Sequence, residues 1–327
     1  MSAQSRAAAA ADSPDWPLKP APLPPALAGL ARTAVMGICN VTPDSFSDGG
    51  RHLSLGAALA HCEVMIREGA DIVDVGGEST RPGAGRVPVA EELRRVIPVV
   101  KELVKLGAIV SIDTTRAKVA VSAVEAGAMI VNDVSGGLAD PDMAPVMAET
   151  GVVSVLTHWR GQSAQMDRLD RYEDVVQEVA AELAARVRAA ESEGVSRSAI
   201  VLDPGFGFAK AAWSNWPLLA NLGRLAELGF PLLVGVSRKR FLDGVKGPAP
   251  RFANAGPTGR DAATAAVTTA SSLMGAWCVR VHEVAANAAA VRVAAVLESA
   301  RREDCGSGEP RARLSSSIND AIQGMIG

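Results

Sequence analysis

Eight short apolar runs rich in β-branched residues recur along this chain, each followed by a longer stretch with helical spacing, and this alternation limits the fold more than any other feature. The runs lie at 34–39, 72–76, 109–113, 129–133, 152–157, 200–203, 231–236 and 277–281. Strands that read as near-continuous apolar runs belong to parallel sheets covered on both faces, and their alternation with helices makes βα units. Between them, 55–68 carries Leu55, Leu59, Cys62 and Ile66, and 89–106 carries Leu93, Ile97, Val100 and Val104, spacings that put one apolar stripe on each helix. Gly69, Gly107, Gly127, Gly151, Gly194 and Gly229 fall where a helix ends and the next strand is due, the place for a left-handed cap. Eight such units predict an α/β fold, a single-domain (β/α)8 TIM barrel with flexible extensions at both ends. A doubly wound open sheet alternates in the same way, but the chain has no G-x-G-x-x-G after the first strand and no division into halves.

A barrel of roughly 250 residues fits within the 327 present, with tails to spare. We expect a disordered extension over 1–30, with its Ala run and Pro22, Pro24 and Pro25, the barrel over 31–300, and a polar tail over 301–327. The start lacks the basic and apolar segments of a secretory signal. The net charge of -3 is dispersed, which argues against nucleic acid as a partner, and no run approaches the roughly 20 apolar residues of a membrane span. The four cysteines form no C-x-x-C pair, so they read as reduced thiols in a cytoplasm.

In barrels of this kind the loops after the strands converge on one mouth, where the chemistry sits. There the apolar runs turn abruptly polar: Asn40 ends the first, Asp113 the third, Asn132 the fourth, Asp203 the sixth, Ser237, Arg238 and Lys239 follow the seventh, and the eighth carries Arg280 and His282. Long polar loops follow the first two strands, one with Asp48 and the other with Glu78, Thr80 and Arg81. Each residue has a plainer reading. Asp113 or Asp203 would serve to cap the next helix, Arg280 and His282 would be an ordinary pair, and Phe206 and Phe208 fit either core packing or ligand stacking. Taken together, a ring of buried carboxylates and amides is expensive unless a polar ligand pairs with it. Carboxylates accepting from paired N–H donors suit a planar, donor-rich heterocycle with a guanidine-like edge. The basic set after strands seven and eight suits a phosphate or diphosphate.

Blocks at 36–50 (MGICNVTPDSFSDGG), 72–83 (IVDVGGESTRPG), 111–114 (SIDT), 131–134 (VNDV), 202–210 (LDPGFGFAK), 235–239 (GVSRK) and 280–282 (RVH) occur in this order. With them the chain resembles the dihydropteroate synthases of the pterin-binding barrel family, from about Ala34 to about Ser299. The resemblance implies condensation of 6-hydroxymethyl-7,8-dihydropterin diphosphate with 4-aminobenzoate, giving 7,8-dihydropteroate and diphosphate in folate biosynthesis, with Mg²⁺ assisting. It implies a pterin site of Asp113, Asn132, Asp203, Phe208 and Lys239, and a diphosphate site of Asn40, Arg280 and His282, with Asn40 also a ligand of Mg²⁺. A 4-aminobenzoate site would comprise Thr80, Arg81, Pro82, Phe208 and Ser237. Asp48 would close over the site and act with Arg81, Lys239, Arg280 and His282 in catalysis. It further implies a homodimer, for which the apolar helix at 264–273 is a candidate interface.

Two departures stand out: Thr157 occupies a position where the family usually has Met beside the pterin, and 242–259 is longer or differently composed than expected after the seventh strand. Two relatives of the same fold remain as alternatives, a pterin-binding paralogue without turnover and a pterin methyltransferase that serves a corrinoid protein. The second is expected to lack the Ser237–Lys239 and Arg280–His282 sets.

Overall fold

The computed structural model describes residues 18–42, 55–78, 86–161, 169–245 and 256–306. In chain order the elements are α1 (Pro25–Ala28), β1 (Ala34–Asn40), α2 (Leu55–Glu68), β2 (Ile72–Gly76), α3 (Val89–Lys105), β3 (Val110–Asp113), α4 (Ala117–Glu125), β4 (Ile130–Asp133), α5 (Met143–Thr150), β5 (Val153–Thr157), α6 (Val175–Ser192), β6 (Ile200–Asp203), α7 (Ala212–Ala220), α8 (Leu222–Ala226), β7 (Leu233–Val234), α9 (Asp261–Leu273), β8 (Cys278–Val281) and α10 (Ala285–Gly306). Eight parallel strands run in the order β6-β5-β4-β3-β2-β1-β8-β7. The ring closes where Leu202 of β6 bridges Leu232 and its N–H donates to Pro231 O at 2.9 Å. The expected barrel is therefore the observed fold.

Its strands sort their side chains with period two, as the pleat requires. Val35, Val73, Val75, Val110, Ile112, Val131, Leu156, Leu202, Val234 and Val279 point outward into one large cluster with the helices. The intervening residues Ala34, Met36, Ile72, Ile130, Val153, Val155, Val201, Leu233 and Cys278 fill the barrel itself. The six glycines placed at helix ends all have positive φ, between 64° and 107°. At these junctions a residue with a Cβ meets steric strain, so the sequence punctuation is read directly in the backbone. The seventh run, expected over 231–236, is a regular strand only at Leu233–Val234, with Leu232 forming the single bridge to Leu202, because Pro231 has no N–H to give and the chain turns at Arg238, whose φ is 57°.

Residues 18–30, part of the extension expected to be disordered over 1–30, pack against the barrel. Leu27 of α1 is buried and joins Leu23 and Leu30 against Met36, Ile72 and Trp277, closing the barrel at the end opposite the strand C-termini. Ala21 N donates to Ser198 O at 2.7 Å, which ties the segment to the β6 side. A proline-rich stretch cannot enter the sheet, but leucines at short intervals can still plug the floor. Helix α9, expected as an interface, turns Val267, Thr268 and Ser271 inward and leaves Ala262, Ala266 and Ala270 exposed. Among the described residues no helix is long and apolar enough to cross a membrane.

Leu27→Ala should lower stability by about 2–4 kcal/mol, seen as an earlier urea midpoint. An unchanged midpoint would show that the segment does not close the floor.

Candidate active site

Continuing the period-two pattern toward the strand C-termini turns the barrel lining from apolar to polar. Two residues above Ile72 stands Asp74, two above Ile130 is Asn132, two above Val155 is Thr157, two above Val201 is Asp203, and two above Cys278 is Arg280. Asn40 follows Met36 by four, and Asp113 shares its face with Ser111. Gly235, two above Leu233, puts no side chain there; a Cβ at this position would lie 3.6 Å from Asp203 Oδ2 and 3.9 Å from Arg280 Cβ. A Cβ at Gly76 would likewise approach Asp113 and Asn40. These glycines keep the mouth open.

Arg280 organises the polar layer. Its Nε donates to Asp74 Oδ2 at 2.6 Å and its Nη2 to Asp113 Oδ2 at 2.5 Å, while Asn132 Nδ2 donates to the same Asp74 oxygen at 3.1 Å. Burial pushes the Asp113 carboxyl up to about 7, against the downward pull of Arg280. Burial also works against the charge of Arg280, but Asp74 and Asp113 outweigh it and hold the guanidinium above its ordinary pKa. Asp113 does not cap a helix: the first N–H of α4, from Ala117, is taken by Asp140 Oδ2 at 2.9 Å.

Across the ring, Asp203 Oδ1 accepts from Gly205 N at 2.8 Å, and burial raises its pKa. Lys239 Nζ lies 3.7 Å from the centre of the Phe208 ring, a cation–π contact, and burial lowers its pKa to about 8. Gly205 has φ 68°, and a Cβ there would come within 2.3 Å of His158 O, so only glycine permits this approach. Ser237 Oγ accepts from His282 N and stands 3.0 Å from His282 Nδ1. If the hydroxyl proton goes to Nδ1, the ring proton lies on Nε2.

Of the expected site residues, the fold brings Asn40, Asp113, Asn132, Asp203, Phe208, Ser237, Lys239, Arg280 and His282 to one mouth. Asp48, Thr80, Arg81 and Pro82 lie outside the described residues. The stems of the second loop are anchored, since Arg116 donates to Glu78 and Val87 O and pairs with the buried Glu92. One sequence reading changes, and one left open is decided. Arg238, grouped with the basic cluster, turns away and pairs with Asp261 at 2.7 and 2.8 Å. Phe206 is core, fully buried near Phe241, whereas Phe208 faces the site. Thr157 is fully buried, and its hydroxyl has no partner among the described residues.

Pterin binding enzyme is the family whose model matches this chain, over residues 36–282. The chain belongs to the pterin binding enzymes. It is 53% identical over 265 residues to a dihydropteroate synthase of Mycobacterium leprae, covering 81% of this chain and 93% of that one. Among solved structures it is similar to Xanthomonas albilineans dihydropteroate synthase with 4-aminobenzoic acid, at TM-score 0.75 and 45% identity over 82% of this chain and 94% of that chain. The same enzyme in complex with 7,8-dihydropteroate matches at TM-score 0.72 and 42% identity, again over 82% of this chain and 94% of that chain.

Three residues of this pterin binding enzyme escaped the sequence reading. Asp74 sits inside an apolar strand, where a run buried on both faces gives no signal for the inward side. Glu92 looks like an exposed helix acid, yet it is buried and accepts from Thr114 Oγ1 at 2.7 Å. Lys210 ends a glycine-rich loop and reads as a solvent residue, but it is buried.

Arg280→Met would leave Asp74 and Asp113 facing each other without a cation. We expect a loss of about 3–5 kcal/mol in urea unfolding at pH 8. The loss should shrink toward pH 6, because Asp113, already raised, takes up a proton and its charge disappears. A loss independent of pH would mean that the pair is not charged in the folded state.

Proposed function

We propose that this chain is a dihydropteroate synthase, joining 6-hydroxymethyl-7,8-dihydropterin diphosphate to 4-aminobenzoate with release of diphosphate. The observation that carries the reading is the gathering of Asp113, Asn132 and Asp203 on one open mouth with two cations, Arg280, which pairs with Asp113, and Lys239, which lies over Phe208. Carboxylates presented this way accept from adjacent N–H groups of a pterin edge, and the Asn132 amide supplies both a donor and an acceptor. Lys239 and Phe208 together offer a charge and a flat face. Asn40, Arg280 and His282 form the diphosphate side in this reading. Among the described residues Arg280 uses two of its five N–H groups, which leaves three for an oxyanion. The Ser237 hydroxyl, assigned to 4-aminobenzoate by resemblance, is committed to His282, so we read it as orienting that ring as well.

Asn40 suits Mg²⁺. The described residues hold no cluster of three acidic, His or Cys groups for a metal, and among them the Asn40 amide has no hydrogen-bond partner. One amide oxygen, with phosphate oxygens and water completing the shell, is what this cation accepts. When bound, Mg²⁺ would neutralise charge on the diphosphate oxygens. The protein groups do the rest. Arg280 and a protonated His282 Nε2 stabilise the charge that grows as the C–O bond to diphosphate breaks, while the pterin-binding set fixes the ring whose methylene becomes electron-poor. The amine nitrogen of 4-aminobenzoate forms the new C–N bond and loses a proton. Asp48, Thr80, Arg81 and Pro82 complete the aminobenzoate side and exclude water in this reading. We further propose a homodimer in the cytoplasm; Cys39, Cys62 and Cys278, free and buried, accord with a reducing compartment.

Purified protein with the pterin diphosphate, Mg²⁺ and labelled 4-aminobenzoate should yield labelled dihydropteroate, and absence of product would overturn the assignment. Binding of the pterin should weaken as pH falls from 8 to 6, because Asp113 must be ionised to accept donor N–H groups and its pKa is raised to about 7. Asp113→Asn should bind at least about tenfold more weakly at pH 8 and flatten that dependence, as measured by calorimetry. Unchanged affinity would show that Asp113 only pairs with Arg280.

A further inference from the structure

Behind Phe208 lies a buried cation that the reaction above does not use. Lys210 forms no ion pair among the described residues. Its Nζ donates instead to three neutral acceptors: Gly205 O at 3.0 Å, Phe208 O at 3.2 Å and His158 Nδ1 at 2.9 Å. A buried ammonium without a counter-ion is costly, and burial lowers its pKa to about 7. The cost brings one local gain, in that two of its three bonds go to carbonyls of the turn that carries Phe208.

Everything around this turn is arranged to hold it. Gly205 and Gly207 have φ of 68° and 70°, and Ala209, with a Cβ, is held at φ 46°, a left-handed conformation that alanine adopts only under constraint. The Tyr172 hydroxyl donates to Ala209 O at 3.0 Å, and Asn215 Oδ1 accepts from Gly207 N at 2.7 Å. His158 stands 2.9 Å from Glu182 through Nε2, and burial lowers its pKa to about 4, so the ring is neutral. Glu182, held low at about 2 chiefly by His158 and Arg160 against its burial, is ionised and can only accept. The His158 proton therefore lies on Nε2, and Nδ1 presents its lone pair to Lys210. Arg160 fixes Glu182 in turn, and its guanidinium stacks 3.9 Å above the Tyr172 ring.

We propose that Lys210 is a positioning residue for the reaction: with His158 and Glu182 behind it, its ammonium ties the carbonyls of Gly205 and Phe208 so that the Phe208 ring is held against Lys239. The proposal rests on the synthase reading and adds to it a layer that touches no substrate. A ring left to move would cover Lys239 less completely and would give the substrates a poorer wall, so the loss should pass through Phe208.

The test is a double-mutant cycle on product formation by the full chain. If Lys210 acts through Phe208, Lys210→Met should lower kcat/KM about tenfold, Phe208→Ala at least as much, and the double variant no further than Phe208→Ala alone. A merely structural role would make the losses multiply, and that result, or full activity in Lys210→Met, would overturn the proposal. Should Lys210→Met fail to fold, His158→Ala removes one of the three bonds and is expected to lose about threefold in the parent chain and nothing further in the Phe208→Ala background. Multiplying losses, or none in the parent, count against the proposal there too. Product formation by the unaltered chain is measured first, so a failure of the synthase reading is seen separately.

Discussion

The site depends on one interaction across the barrel, the guanidinium of Arg280 held between Asp74 and Asp113. The strand carrying Arg280 is far in sequence from β2 and β3, which carry the aspartates, and they meet across the barrel only because the sheet curls round with β1 between β2 and β8. Inside the mouth the dielectric is low, so neither carboxylate would be tolerated as an anion without the cation, and the cation would be equally unstable without them. Asn132 then finds its place by donating to Asp74, and Asp113 is oriented rather than free to cap α4. A polar layer built this way is rigid before any ligand arrives, as electrostatic preorganisation requires.

A second arrangement governs the opposite wall. Asp203 ends β6, but Lys239 and Phe208 sit on turns rather than strands, and turns need fixing by side chains from elsewhere. Glycines at 205 and 207 allow the chain to pass close to His158 and Lys239, and Asn215, Tyr172 and Lys210 take up the backbone groups that such a turn exposes. Both walls thus place a buried charge where apolar packing would be cheaper in stability, and in both the charge fixes geometry at the substrate face.

The same physics explains where the sequence reading stopped. A run buried on both faces looks uniformly apolar, so Asp74 is visible as a polar residue but its facing is not. Arg238 and Lys239 are neighbours with the same charge, yet one pairs with Asp261 outside and the other turns in, because Arg238 adopts a left-handed backbone. Leu27 lies in a proline-rich stretch whose composition suggests disorder, and only the open floor of the barrel gives its side chain a place to pack.

By itself the sequence determined the eight βα units, their helix-ending glycines and the set of polar residues at the strand ends, since each is a local property of spacing, propensity or backbone strain. The family blocks likewise fixed the kinship. Tertiary structure alone decided which of those polar residues pair with one another, which cation faces the mouth, and which buried groups stand behind the ligand-facing ones. These depend on strands and loops distant in sequence meeting in space, and on the electrostatic cost of burying each charge where they meet.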